Sequence, residues 1–225
     1  HSDWQTRVSE IRDFGSEGKA TAVVSTINGD ANVPFYLELA NQEVSAEDIP
    51  VVAFSVGEEE LSGLDTEPLV GHLAAWNYFQ SIEGPTNSEF IANWKQRMGA
   101  DRTTNDPMEA HFIGFNMWVA AVEQAGTTDV DAVLEALPGT ETPNLTGGIA
   151  RLLPNHHLTK PVYIGEVRAD GQFDVVWQTD NLVEGDAWTD FLPGSQDTEA
   201  DWVDPAINCG NYNTQTGVCS ATNFE

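Results

Sequence analysis

Three consecutive glutamates at positions 58–60 are the first candidates for ligand chemistry in this sequence. They follow an apolar stretch at residues 49–54 that predicts a buried strand, and they begin a short helical pattern. The helix dipole stabilises acidic side chains in a first turn, so most of the run is expected to be solvated. One carboxylate turned into a cleft would instead accept N–H donors from a neutral or cationic ligand. The sequence leaves open whether Glu58 or Glu59 does so.

Polar residues also follow the preceding apolar strand, which is predicted at residues 21–27 with both faces buried. Asn28 and Asp30 offer an amide and a carboxylate there, and Ser55 lies at the end of the next strand. Turn formation explains Asn28 and Asp30 equally well, because both residue types bond their own backbone in turns. Ligands of open parallel sheets bind beyond the carboxyl ends of the strands. These two loops are therefore the first places where we expect a binding site.

Two later segments supply further candidates. Trp76 and Tyr78 end a third predicted strand, where alternation puts both rings on one face as core filling or as a pocket wall. Asp106 and Glu109 lie in the first turn of a predicted helix, for which Asn105 is the predicted cap. Helix capping explains these two acids, and the alternative is a polar rim on the opposite side of a cleft.

The sequence contains no common catalytic signature. It has no G-x-S-x-G elbow, no Walker A loop, no H-E-x-x-H and no paired-glycine fingerprint after the first strand. His156 and His157 are adjacent and cannot face one ligand from a regular strand, whereas His72 and His111 fall inside predicted elements. We expect these histidines to be structural or surface residues. The prediction is a protein that is not an enzyme and uses no metal and no cofactor.

The composition is strongly acidic. The 225 residues include 36 Asp and Glu but only nine Lys and Arg, which gives a formal net charge of −27 at pH 7. Such a surface repels nucleic acid and anionic lipid, so neither is an expected partner. No stretch approaches the ~20 apolar residues of a membrane span, so direct membrane insertion is not expected. Because carboxylates are spread along the whole chain, we predict salt-dependent stability and a marine or halophilic source.

The two cysteines, Cys209 and Cys219, enclose a short polar loop rich in Gly, Asn and Thr. Packing alone cannot hold such a loop, so we predict a disulfide between them. Closing a loop of this size would contribute about 2–3 kcal/mol by the chain-entropy estimate. A disulfide also indicates an oxidising compartment.

The elements that must position these residues alternate between strands and helices. Strands are predicted at residues 21–27, 49–54, 70–79, 161–167 and 172–178, and helices at residues 88–98, 106–124 and 130–137. A further helix lies between the first two strands, which makes a β-α-β unit, and a turn signal joins the last two strands as a hairpin. The predicted class is therefore α/β with a mainly parallel sheet.

Six segments, in collinear order, resemble one family of transport proteins. They are INGDANVPFYLEL, DIPVVAFSVGEEEL, GHLAAWNYFQS, ADRTTNDPMEAHFIG, TDVDAVLEAL and NHHLTKPVYIGEVRADGQFDVVW. The family is the urea and short-chain-amide substrate-binding proteins of ABC importers, within the type I periplasmic binding proteins. The similarity covers about residues 1–180 and leaves the following tail largely unmatched.

The resemblance implies two α/β lobes, joined by three crossovers, that close on a small ligand by a hinge movement. It assigns residues 1–73 to the later part of the second lobe and 74–138 to the returning part of the first. Residues 139–180 are the hinge crossover and C-terminal strands, and 181–225 are an extended tail with the disulfide loop. The N-terminal portion, with first-lobe loops that bind amides in this family, is expected to be absent, so the chain should hold only part of the pocket.

The resemblance also implies a ligand and a set of binding residues. The residues are Asn28, Asp30, Ser55, Glu58 or Glu59, and Tyr78, with Asp106 and Glu109 approaching from the other lobe. Urea carries two amino groups and one carbonyl, which suits the acceptors of Asn, Ser and Glu side chains. The implied function is a periplasmic or cell-surface receptor that captures urea or a short-chain amide and delivers it to the membrane permease of an ABC importer.

Three other functions stay open at this point. A branched-chain amino-acid receptor of the same fold would need to recognise an α-ammonium and a carboxylate. A cytoplasmic amide-sensing regulator would share the fold, although the predicted disulfide argues against that compartment. A processed fragment with a surface or structural assembly role would explain the missing portion and the unmatched tail.

Overall fold

The structure is a computed structural model that describes residues 3–188, 191, 193–194, 212–213 and 218–219. It divides into two compact units, His1–Gly185 and Asp186–Glu225. The helices are α1 (Trp4–Gly15), α2 (Asn32–Asn41), α3 (Glu58–Leu61), α4 (Pro85–Met98), α5 (Asp106–Ala125) and α6 (Val130–Ala136). The strands are β1 (Val23–Ser25), β2 (Val51–Ala53), β3 (Leu73–Trp76), β4 (Glu141–Pro143), β5 (Ile149–Arg151), β6 (Thr159–Lys160), β7 (Tyr163–Val167), β8 (Phe173–Gln178), β9 (Val183–Glu184), β10 (Tyr212–Asn213) and β11 (Val218–Cys219).

The first unit is built around a five-stranded sheet with the order β1-β2-β3-β7-β8. Strands β1, β2 and β3 are parallel, whereas β7 and β8 pair antiparallel at the other side. The predicted β-α-β unit and the predicted hairpin between β7 and β8 are both confirmed. Because β1–β3 run in the same direction, their carboxyl ends lie along one edge of the sheet. We call this the carboxyl edge.

One continuous apolar cluster holds this sheet. Phe35, Tyr36 and Leu39 recur at helical spacing on α2, so they share the face that packs on the sheet. Phe79 stacks on Phe173 with ring centroids 4.6 Å apart. We refer to α1–α3, β1–β3, β7 and β8 as the sheet region.

The first strand is shorter and more exposed than its composition suggests. A strand buried on both faces was the expectation for residues 21–27, but β1 contains three residues and Val24 is 68% exposed. That expectation is wrong because β1 lies at the edge of the sheet, where one face is left uncovered. A β-branched apolar run reports strand propensity, and it does not report which faces are covered.

The third strand also covers less than the predicted residues 70–79. Gly71 turns the chain with a φ of 92°, a conformation that favours glycine, so the strand begins only at Leu73. It ends at Trp76 because the next backbone N–H, that of Asn77, donates to the Asp106 carboxylate at 2.9 Å instead of to a neighbouring strand. The expectation that Trp76 and Tyr78 share a strand face is therefore wrong.

Helices α5 and α6 pack with the β4–β5 hairpin in what we call the helix region. The predicted cap of α5 is confirmed, since Asn105 accepts a hydrogen bond from the Met108 N–H at 3.2 Å. Its core consists of two small clusters, one of Ile113, Met117, Ala150 and Leu152, the other of Ala121, Val133 and Ala136. The opposite face of α5 presents Phe112, Phe115 and Trp118, each exposed by 42% or more. We call these three residues the aromatic face.

In the second unit, β10 and β11 form an antiparallel pair with Tyr212 opposite Cys219. Cys209 lies outside the described residues, so the predicted disulfide stays a prediction. The assignment of segments to two lobes also stays a prediction. The sheet itself joins β3, which spans the predicted boundary between residues 73 and 74, with β7 and β8 from the predicted segment 139–180.

Candidate functional site

The loops that follow β1 and β2 lie together at the carboxyl edge. The parallel register sets Ser25 beside Ala53, so the residues that come next also become neighbours. The Ser55 hydroxyl donates a hydrogen bond of 2.5 Å to the amide oxygen of Asn28. Asn28 is exposed and Ser55 is half-buried, so both polar groups are open to solvent at the edge. Asp30 is exposed in the short turn Gly29–Ala31 beside them.

The buried side chain of Asn32 bonds to both of these loops. Its side-chain N–H groups donate to the backbone oxygens of Ile27, Gly29 and Ser55, at 3.0, 3.2 and 3.2 Å. The side chain is 1% exposed, so these bonds are made away from water. Sequence reasoning missed this residue. The available signal was a second Asn four positions after Asn28, which turn chemistry alone does not require.

The three glutamates after β2 have different surroundings. Glu58 is the buried one, and its Oε1 accepts a 2.6 Å hydrogen bond from the Gln80 N–H. Glu59 is half-buried and is held by Arg102. Glu60 accepts from the Gly57 N–H at 2.9 Å, which caps α3. Glu58 is therefore the member of the run that turns inward.

Tyr78 lies inside the protein and does not form a wall of the open edge. Its hydroxyl bonds to Asn87 at 2.8 Å and to Thr104 at 2.7 Å, and the residue is 0% exposed. Gln80 extends the same polar network, because its side-chain oxygen accepts from the Thr104 N–H at 2.8 Å. The network ties the segment after β3 to the residues that precede α5. Gln80 and Thr104 were not among the predicted residues, because only the tertiary contacts identify them.

Asp106 and Glu109 come close to the sheet region as the first turn of α5. Asp106 bonds the Asn77 N–H, and Glu109, which is 0% exposed, pairs with Lys160 of β6. Both residues are buried, so neither forms an exposed polar rim, and their part in ligand binding stays a prediction. Asp106, Lys160 and Asn77 line a cavity of about 320 Å³ beside the start of β7.

Burial dominates the electrostatics of this group. It raises the pKa of Glu58 to about 8, and the charges of Glu60 and Asp106 add to the shift against two backbone hydrogen bonds. Burial also raises the pKa of Asp106 to about 7, although Lys160 opposes this. Burial also raises the pKa of Glu109 above its usual value, although the neighbouring Lys160 opposes the rise. These carboxyls differ from solvated acids, which are fully ionised at neutral pH.

Burial also changes the pKa of the histidine inside the sheet region. His72 is 0% exposed, and its Nδ1 accepts from the Val51 N–H at 3.1 Å. Loss of solvation lowers its pKa to about 4. The ring therefore stays neutral at pH 7 and completes the pairing of β2, which is a structural role.

The described residues contain neither a candidate metal site nor a candidate membrane span. In that part of the chain, no three His, Cys, Asp or Glu side chains are placed to hold a metal ion. No helix within the same residues has both the length and the hydropathy to cross a bilayer.

Residues 1–194 match the family described as the periplasmic binding protein domain. That match covers well over half of the chain. The chain belongs to the periplasmic binding protein family.

Solved structures support the same fold for this periplasmic binding protein. A solute binding protein of an ABC transporter from Rhodopseudomonas palustris BisB5, in complex with 3,4-dihydroxybenzoic acid, is 17% identical with a TM-score of 0.68. The match covers 81% of this chain and 50% of that chain. A leucine binding protein from Thermotoga maritima is 18% identical with a TM-score of 0.60, over 79% of this chain and 49% of that one. The fold is the type I periplasmic binding protein fold, and this chain spans about half the length of these structures.

One curated relative has a different kind of name. A protein from Geobacillus stearothermophilus called limonene hydroxylase is 34% identical over 113 residues, which are 50% of this chain and 21% of that protein. The chain therefore spans about a fifth of that relative. A shared stretch of this extent says nothing of a hydroxylase reaction in this chain.

Proposed function

We propose that this periplasmic binding protein captures urea or a short-chain amide outside the cytoplasm and delivers it to the permease of an ABC importer. The ligand binds at the carboxyl edge, beside Asn28 and Ser55, and is released chemically unchanged. Membership of the family and the fold support the role as a receptor. The closeness of the two polar loops supports the place.

The observation that carries the choice of ligand is the pairing of two cations of this unit, Arg102 beside α3 and Lys160 on β6. Arg102 donates to Glu59 at 2.7 Å, and Lys160 pairs with Glu109. Both cations are thus engaged by carboxylates of the protein. A ligand with its own carboxylate needs an unpaired cation or a set of N–H donors, because burying an unpaired charge is costly. This arrangement favours a neutral ligand.

The groups that remain open at the edge are mainly acceptors. Asn28 offers an amide oxygen, Ser55 a hydroxyl oxygen and Asp30 a carboxylate. Urea and short-chain amides present N–H donors to such groups, and their single carbonyl can accept from the Asn28 side-chain N–H, because the Ser55 proton is already donated to Asn28. A branched-chain amino acid would use an acceptor for its α-ammonium, but its carboxylate would meet the same acidic surroundings.

Calorimetric titration of the natural full-length protein tests the proposal directly. Urea, acetamide, formamide, leucine and 4-hydroxybenzoate are titrated separately, because solved structures with this fold include a leucine binding protein and a complex with p-hydroxybenzoic acid. We expect binding heat with the first three compounds. Heat with leucine or 4-hydroxybenzoate and none with the amides would overturn the ligand assignment.

Variants of the two loops test the place of binding. Ser55→Ala and Asn28→Ala each remove one hydrogen-bonding group of the edge, which typically weakens binding about fivefold to tenfold per bond. The matched control is Asn41→Ala, because Asn41 is an exposed residue at the end of α2 with one side-chain bond to Glu38. If Asn41→Ala weakened binding as much as the other two, the ligand would not be at this edge.

A further inference from the structure

A group of buried acids joins the sheet region to the helix region. Glu58 comes from α3, Asp106 and Glu109 come from α5, and Lys160 comes from β6. The exposed fractions are 2% for Glu58, 8% for Asp106, 0% for Glu109 and 9% for Lys160. We call these four residues the acid cluster. It differs from the exposed edge of Asn28 and Ser55, which the proposed function uses.

The contacts of the acid cluster hold the short segment that follows β3. Asp106 accepts from the N–H of Asn77 at 2.9 Å, and Glu58 accepts from the N–H of Gln80 at 2.6 Å. The two ends of this segment are thus bonded to acids from two different helices. The second oxygen of Glu58 and that of Glu109 have no hydrogen-bond partner among the described residues. A buried carboxylate with an unpartnered oxygen is costly when it is ionised.

The charges do not balance inside the acid cluster. Three carboxylates face one ammonium, so full ionisation would leave two excess negative charges in a space screened from water. Three other titratable side chains lie beside the acid cluster, and one of them, His157, lines the cavity with Asp106 and Lys160 and is exposed. Glu60 on α3 is a further acid, and Tyr78 after β3 is held neutral because burial raises its pKa. Interaction at short range in a low dielectric therefore favours retention of a proton by one of the acids.

We propose that the acid cluster stabilises the junction of the two regions in a proton-dependent way. Glu58 carries a proton at neutral pH and bonds the segment after β3. The junction weakens as the pH rises. The inference does not depend on the identity of the ligand. It makes the junction of the two regions, and any movement between them, sensitive to alkaline conditions.

The direction of the pH effect follows from linkage. The pKa of Glu58 is about 8 in the folded protein and 4.5 in the unfolded chain, so the folded state binds the proton more tightly. Its contribution to stability is fully present below pH 4.5 and is lost as the pH rises through 8. Within that window one extra bound proton lowers the folding constant about tenfold per pH unit.

The test compares Glu58→Gln with the wild type by calorimetric unfolding at fixed salt, from pH 5 to pH 9. Gln keeps an oxygen for the Gln80 N–H and cannot ionise. We expect the folding constant of Glu58→Gln, relative to wild type, to rise by up to about tenfold per pH unit between pH 5 and 8. Glu60→Gln is the matched control on the same helix, and its ratio to wild type should change far less with pH. Equal pH profiles for wild type and Glu58→Gln would overturn the proposal.

An infrared titration of the folded wild type tests the same proton without relying on the variant. We expect the carbonyl band of a protonated carboxylic acid to persist at pH 7 and to disappear towards pH 9. The band should also be reduced in Glu58→Gln at pH 7 if that variant folds. A wild-type protein with no such band at pH 7 would overturn the proposal, whatever the stability of the variant.

Discussion

The sheet region and the helix region bury their apolar residues in different ways. In the sheet region one continuous cluster runs from Val8 of α1 to Phe173 of β8 and includes Val51 and Ala53 on one face of β2. In the helix region the buried residues form two small clusters, and the aromatic face of α5 lies on the outside. A helix that is apolar on two sides is typical of one that is packed on two sides.

The difference shows where the rigid part of the site lies. The carboxyl edge belongs to the region with the continuous core, so its loops are positioned by a packed sheet and by Asn32. The helix region contacts that sheet through polar groups, above all the acid cluster. Phe90 and Trp94 of α4 and Phe112 of α5 line a groove of about 650 Å³, and an apolar surface of this kind is typical of an interaction site.

The largest effect on stability is expected from the core of the sheet region. Phe173→Ala removes a ring that is 0% exposed and stacked on Phe79, so it should cost about 3–5 kcal/mol of unfolding free energy. Gly165 also depends on this packing, because a Cβ there would lie 2.8 Å from the Phe79 ring. Thermal unfolding followed by circular dichroism measures the loss. A cost below about 1 kcal/mol would show that this cluster is not a closed core.

The next largest effect is expected at the junction of the two regions. Lys160→Met leaves Glu109 buried without its cation, which should cost about 3 kcal/mol at pH 8. The cost should be smaller at pH 5, because the carboxyl can then take up a proton, and burial already raises its pKa. Thermal unfolding at both pH values measures this.

The control for Lys160→Met is Arg151→Met, which breaks an exposed pair with Glu141. Exposed ion pairs contribute about 0–1 kcal/mol, so this variant should unfold close to the wild type. Similar costs for the two variants would mean that the junction is as solvated as the surface.

A smaller effect is expected where the loops of the carboxyl edge are fixed. Asn32→Ala removes three hydrogen bonds and leaves buried backbone oxygens unpartnered, which should cost about 1–3 kcal/mol. Amide hydrogen exchange should increase at residues 27–30 and 54–56 and stay unchanged in α6. An increase spread evenly over the chain would contradict a local role.

The smallest effect is expected on the aromatic face. Phe115 is 56% exposed, so Phe115→Ser should change the unfolding free energy of this chain by no more than about 0.5 kcal/mol. Thermal unfolding, side by side with Phe173→Ala, makes the comparison direct. A cost of several kcal/mol would show that this face is packed in solution, and it would remove the contrast between the two regions.

Local sequence signals predicted most elements correctly. The cap at Asn105, the helix between the first two strands and the turn between β7 and β8 each depend on residues close together in the chain, and all three are confirmed. Burial was predicted less well. Val24 belongs to an apolar run, yet it is exposed at a sheet edge. Tyr78 was expected on a strand face, yet it lies inside a polar network. Such differences depend on contacts between distant segments.

The candidate site was likewise predicted only in part. The proximity of Asn28 and Ser55 could be predicted, because parallel strands bring consecutive loops to one edge. The partners of the acids could not. Lys160 is 51 positions away from Glu109 in the chain, and no spacing rule connects them.

By itself the sequence determined the α/β class, the order of the elements and the acidic surface, because these follow from periodicity, turn residues and charge. The tertiary structure alone decided which glutamate is buried, which loops meet and which acids are enclosed together. Burial and pairing are properties of space, since a carboxylate in water and one enclosed by other acids have the same residue type and opposite charge preferences at neutral pH.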